Sequence, residues 1–133
     1  MISEYSLRVR TYECDSYKHV NNANYLHYLE IARYQLLKDI GFDYPKLIES
    51  GYGMYIARIE IDYKKPAFVD EELVVKTYPV KKGAVSGVLA QEIWRGNDLL
   101  AGARVTWAFV DSKGMPAKIP PQWDVPGLSP AKG

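Results

Sequence analysis

The 133 residues of this chain predict an α+β domain, an antiparallel sheet of five to six strands curled around one long helix. Three observations predict it. Apolar residues alternate with polar ones near the N-terminus and again in stretches beyond Tyr52. Between those regions lies one long segment with helical spacing, and the later stretches are parted by short turn signals. Short turns force antiparallel neighbours, and a sheet with one apolar face needs a layer to cover it.

Each element follows from its own pattern. From Ile2 to Tyr12, Tyr5, Leu7 and Val9 alternate with Ser6, Arg8 and Arg10, which predicts a strand. The polar run from Glu13 to His19 fits neither period and reads as a loop. Asn21 and Asn22 suit a helix N-cap, and Tyr25, Leu29, Ala32, Leu36 and Ile40 carry a helical stripe that ends at Gly41, so a helix is expected over Asn22 to Ile40. Ile31 and Tyr34 widen its apolar face, and Glu30 and Arg33 suit an i,i+3 ion pair on the wetter side.

Arg58 to Tyr63 alternates strictly, Leu73 to Tyr78 is rich in β-formers, and Lys81-Lys82-Gly83 supplies a turn into a return strand, Ala84 to Trp94. Arg95 to Asp98 supplies the next turn. Leu99, Ala101, Ala103, Val105, Trp107 and Phe109 then share one strand face, closed by Asp111 to Gly114. The expected sheet is a meander. Residues 1–114 form the domain, and 115–133, with Pro116, Pro120, Pro121, Pro126 and Pro130, form an extended tail lying on the body or frayed from it. One helix cannot cover so wide a sheet, so the free edge and the helix flank are expected to meet a second copy in a homodimer.

Composition narrows the function. With 47% apolar and 25% charged residues the chain resembles ordinary globular domains. Lys plus Arg at 17 against Asp plus Glu at 16 leaves no basic field for wrapping nucleic acid. No apolar stretch approaches the roughly 20 residues of a membrane span, and no leader pattern opens the chain, so a cytoplasmic setting is expected. The single Cys14 excludes an internal disulfide framework, and with only His19 and His27 beside it no metal site is expected.

One segment is not explained by folding, the polar loop before the helix. Asp15 lies seven residues before Asn22, close enough for its carboxylate to stand beside the helix's first turn, where unpaired N–H groups and the positive dipole end collect. Such donors polarise a carbonyl, while the carboxylate attacks its carbon or deprotonates water. Taken alone, an acid before a helix is more often a cap or a solvated side chain. Cys14 has no His-Asn partner pattern and reads as an inert thiol. No Gly-x-Ser-x-Gly elbow and no Gly-rich phosphate loop is present.

The run from Tyr12 to Tyr25, with Asp15 followed four residues later by His19-Val20-Asn21-Asn22, and then Tyr28-Leu29-Glu30-Ile31-Ala32-Arg33, resembles the signature of the hotdog-fold acyl-CoA thioesterases of the 4-hydroxybenzoyl-CoA thioesterase type. Arg58 to Ala67, with Asp70 and Leu73, is similar to that family's second strand and its exit, and the likeness covers about Leu7 to Val110. It implies hydrolysis of an acyl-CoA or acyl-carrier thioester, with Asp15 as nucleophile or general base and the N–H of Asn22 polarising the carbonyl. His19 matches the motif histidine, and its implied role is to orient the loop more than to transfer protons.

Tyr25 and Asn21 are implied to border the substrate. Lys81 and Lys82, with Arg58 and Lys65, are the implied cations for coenzyme A phosphates. Coenzyme A enters as part of the substrate, with no separate cofactor, and the implied assembly is a dimer of dimers. Many members carry Gly where this chain has Lys18. Two further readings use the same fold: an acyl-thioester hydratase or dehydratase, and a non-catalytic carrier of acyl ligands.

Overall fold

A computed structural model describes residues 2–131. It contains β1 (Ser3–Arg8), α1 (Asn22–Asp39), α2 (Tyr44–Glu49), β2 (Gly53–Tyr63), β3 (Glu72–Lys82), β4 (Ser86–Arg95) and β5 (Asp98–Val110). The strands make one antiparallel sheet in the order β1-β3-β4-β5-β2, with α1 packed against its concave face. Only β3-β4-β5 is a meander. The connection from Lys64 to Glu71 is no tight turn, and it lets β2 pair with β5 while β1 takes the place beside β3.

Local chemistry explains α1. Asn21 has extended backbone angles and its Oδ1 accepts from Ala23 N–H at 3.0 Å, an N-cap. At the other end Gly41 takes φ +75°, Phe42 N–H donates to Leu37 O at 2.8 Å and Gly41 N–H to Lys38 O at 3.1 Å. That pair is a Schellman closure, and it requires a residue tolerant of positive φ. The N-terminal strand stops at Arg8, short of the expected Tyr12, because Thr11–Glu13 turns as a 3-10 segment.

The core falls into two clusters along the helix. Tyr25, Tyr28, Leu29 and Ala32 meet Leu73, Val75, Ile93 and Ala101, while Leu36 meets Leu47, Leu89, Trp107 and Phe109. Between them lies a buried polar bar. Gln91 is fully buried, and its Nε2 donates to Leu29 O at 2.9 Å and to Thr77 Oγ1 at 3.0 Å. Its Oε1 accepts from Arg33 at 3.1 Å. Arg33 therefore leans onto the sheet, and no Glu30–Arg33 ion pair is present among the described residues. Burial pushes the guanidinium pKa of Arg33 down, against the opposing charge of Glu30.

The Pro-rich segment lies on the body and completes the second cluster. Ile119 and Leu128 are buried there, Trp123 packs on Phe42 with ring centroids 5.5 Å apart, and Ala117 N–H donates to Phe109 O. Lys132 and Gly133 lie outside the described residues. Among the described residues no helix is long and apolar enough to cross a membrane.

Candidate active site

The loop before α1 is tied down from several sides. Glu13 O accepts from Asn21 N–H at 2.9 Å and from the Asn24 side chain at 2.8 Å. Its carboxylate takes the buried Tyr28 hydroxyl at 3.0 Å and Arg10 N–H at 2.7 Å. Burial first, and that bond second, push the Tyr28 phenol pKa up, so it stays a donor. Val20 N–H donates to Ala67 O, and His19 bridges to Phe68, which pins the loop to the connection after β2.

Asp15 closes a tight turn inside this loop. Its Oδ1 accepts from Tyr17 N–H at 2.9 Å and from His19 N–H at 3.3 Å, and its own N–H donates to His19 O. Oδ2 has no hydrogen-bond partner among the described residues. The first N–H of α1, that of Asn22, lies beyond the reach of any intrahelical acceptor, and none of the bonds around the cap uses it.

Asp15, His19, Asn21, Asn22 and Tyr25 border one cleft of about 430 Å³. Val20, Tyr63, Lys64, Lys65 and Pro66 complete it. Tyr25 is buried, its oxygen accepts from Ala67 N–H at 3.0 Å, and its ring meets Tyr63 edge-on at 5.3 Å. Burial is the main cause that raises its phenol pKa. The His19 ring stands edge-on to Phe68 at 4.9 Å, so its visible bonds to Asp15 run through the main chain.

Tyr63, Lys64 and Pro66 are the site residues that sequence reasoning passed over. Tyr63 ends β2 beside the helix start, with Lys64 and Pro66 in the connection that follows, and the Tyr63 hydroxyl donates to Asn22 O at 3.3 Å. The signal was present in the segment from Arg58 to Ala67, but only the topology says which end of the strand meets the loop.

Three of the expected cations lie elsewhere. Arg58 is exposed on β2 and pairs with Glu60 at 3.2 Å. Lys82 is only 9% exposed and pairs with Asp124 at 2.9 Å, fastening the C-terminal segment. The cleft lies at the sheet end marked by the cross-strand row Tyr63, Ala101, Ile93 and Val75. Lys81 is six residues beyond Val75 along β3, about 20 Å away at the rise of a strand. Of the four, only Lys65 reaches the cleft.

Cys14 is half-buried beside Asp15, and burial, with the charges of Glu13, Asp15 and Asp70, raises its thiol pKa. A thiol so placed resists becoming the thiolate that nucleophilic attack needs. Among the described residues no cluster of three His, Cys, Asp or Glu side chains is placed to hold a metal ion.

Comparison with known proteins agrees with this fold. A model of the thioesterase-like superfamily matches residues 9–125. The long-chain acyl-CoA thioesterase FadM of Escherichia coli is 30% identical over 109 residues, spanning 80% of this chain and 82% of that protein. The acyl-CoA thioesterase YbgC of Haemophilus influenzae is 30% identical over 110 residues, spanning 80% and 81%. A solved structure of a probable thioesterase from Bartonella henselae superposes with a TM-score of 0.85 at 26% identity, covering 90% of this chain and 100% of that one. The family match takes in the loop that carries Asp15, α1 and the strands β2 to β5, and on that ground the chain belongs to the thioesterase-like superfamily, a thioester hydrolase on the hotdog fold.

Proposed function

We propose that the chain hydrolyses acyl-CoA thioesters in the cleft at the start of α1. The observation that carries this reading is a single cavity bordered both by Asp15, whose carboxylate keeps one uncommitted oxygen, and by Asn22, whose N–H has no hydrogen-bond partner among the described residues. The names of FadM and YbgC support acyl-CoA as the substrate class.

In this reading the thioester oxygen lies against the Asn22 N–H, where the helix dipole adds to the donor's pull on developing negative charge. Oδ2 of Asp15 either attacks the carbonyl carbon, expelling the CoA thiolate and leaving a mixed anhydride for water to cleave, or takes a proton from the water that attacks directly. Both routes consume one water and release a carboxylic acid and a thiol. The two N–H bonds to Oδ1 hold the carboxylate in place. His19 acts as a positioning residue through its main chain, and Tyr25 and Asn21 form walls of the substrate cleft. The eleven-residue edge strand β2, with Tyr55 and Ile56 exposed, supports pairing with a second copy.

Thiol release from a panel of short, long, branched and aryl CoA thioesters tests the reading. Asp15→Asn is expected to lower kcat at least a thousandfold, about 4 kcal/mol of barrier, with thermal unfolding unchanged. Equal turnover by both proteins would remove Asp15 from the mechanism.

A further inference from the structure

Resting on the thioesterase reading, we propose that Arg95, paired with Glu71, is a positioning residue of the reaction. It holds the cleft wall supplied by the connection after β2, and through that wall it sets the Asp15 loop against the start of α1. The connection, residues 64–71, is neither helix nor strand, yet Lys64, Lys65 and Pro66 in it border the cleft. Groups outside it must fix its course.

The bonds that do so converge on three consecutive residues. Arg95, the last residue of β4, donates through Nη1 to Pro66 O at 3.1 Å and to the two Glu71 carboxylate oxygens at 2.9 and 3.2 Å. Glu71 Oε1 in turn accepts from Phe68 N–H at 2.7 Å. The ion pair thus grips one main-chain group on each side of Ala67. Ala67 uses its own two on the loop and the helix: its O accepts from Val20 N–H at 2.9 Å, and its N–H donates to the Tyr25 oxygen at 3.0 Å. Ala67 is fully buried, so a bond lost there leaves a polar group stranded.

Val20 joins the two halves of the chemistry. On one side is His19, whose N–H and O both bond Asp15, and on the other is Asn21, the cap that precedes Asn22. Arg95 is therefore two hydrogen bonds from the residue that links the carboxylate's loop to the helix donor. Among the ion pairs of the described residues, Arg95–Glu71 is the only one with both side chains less than a third exposed, at 26% and 28%. A pair so covered is screened less than an exposed one. The Tyr25 phenol feels it as well: burial raises the phenol pKa, and the Arg95 charge works against that rise. A displacement of about 1 Å between reacting groups is enough to cost two orders of magnitude in rate.

The test separates placement from stability, with every assay run well below the melting temperature. Arg95→Met is expected to lower kcat on a good acyl-CoA about ten- to a hundredfold, with a far smaller change in KM and a lower melting temperature. All of Arg95's bonds to the connection and to Glu71 leave from one nitrogen, a place a lysine ammonium can take, so Arg95→Lys is expected to recover most of the kcat. The deciding protein is Arg95→Met/Glu71→Gln. Its amide oxygen still accepts from Phe68 N–H and the stranded charge is gone, so the melting temperature is expected to climb back while kcat stays at the Arg95→Met level, because Pro66 O is still unheld.

A kcat that recovers together with the melting temperature overturns the proposal, as does a wild-type kcat in Arg95→Met. So does an equal loss of kcat in Leu128→Ala, which loosens the other core cluster. The parent reading fails separately. Wild-type protein inert toward acyl-CoA thioesters removes both, whereas full turnover in Arg95→Met beside an inactive Asp15→Asn removes only the role of the ion pair.

Discussion

The first peptide N–H of α1 can be removed without breaking any hydrogen bond of the loop or the helix cap among the described residues. Asn22 is the first helical residue, where proline is favoured because its missing N–H has no helical partner to lose. Asn21 before it has φ −62° and ψ 137°, the extended geometry a following proline demands. Asn22→Pro is therefore expected to fold with unchanged melting behaviour and to lose about a hundredfold in kcat, the cost of one oxyanion donor. Stopped-flow or steady-state assay on one good acyl-CoA checks it, and full activity would place the carbonyl elsewhere.

Asp15 was weakly legible on its own, because acids before helices are common. Only its spacing to the His-Val-Asn-Asn run singled it out. Lys18 shows the opposite. Its φ of +66° is the left-handed conformation that glycine adopts at least cost, and the chain accepts a strained residue there to turn Lys18 N–H onto Asp15 O at 3.0 Å. Lys81 and Lys82 were placed at the substrate because a sequence names a hairpin without saying at which end of the sheet it lies.

Among the elements, α1 is tied to the sheet by a residue outside it. Gln91 saturates a helix carbonyl, a sheet hydroxyl and a guanidinium at once. Gln91→Leu would bury a similar volume and strand those partners, so the expected loss is about 1–3 kcal/mol, read from the midpoint of urea unfolding. A midpoint as high as wild type would mean the bar is structurally idle. The helix was legible from its stripe and its caps, and the strands from alternation. α2 was not, since its six residues are too few for any period to show, although Asp43 and Pro45 mark its start. The edge position of β2 was hidden as well, because pairing partners separated by long connections leave no local trace. Pro79 fits the observed order: β1 pairs with β3 only as far as Thr77, so the proline lies where β3 has a free side, next to a bulge.

At the scale of the whole molecule, the C-terminal segment is a wall of the fold. Leu128 is 2% exposed against Leu36, Trp107 and Phe109, and Gly127 lies so close to Ile40 that any side chain there would collide. Leu128→Ala is expected to cost about 2–4 kcal/mol by chemical denaturation while kcat on acyl-CoA stays at the wild-type value, because the cleft belongs to the other cluster. A matched fall in kcat would show that the two ends are coupled. Proline content alone suggested a tail of either kind; Ile119, Trp123 and Leu128, spaced at neither the strand nor the helix period, are the residues that decide it.

The amide, hydroxyl and guanidinium lying across the interior leave this small protein with two separate oil drops instead of one. Substitutions can accumulate in the drop roofed by the C-terminus, and be repaired there, while the reacting corner keeps its shape. In a chain of this length, that insulation is what lets stability and chemistry vary on independent terms.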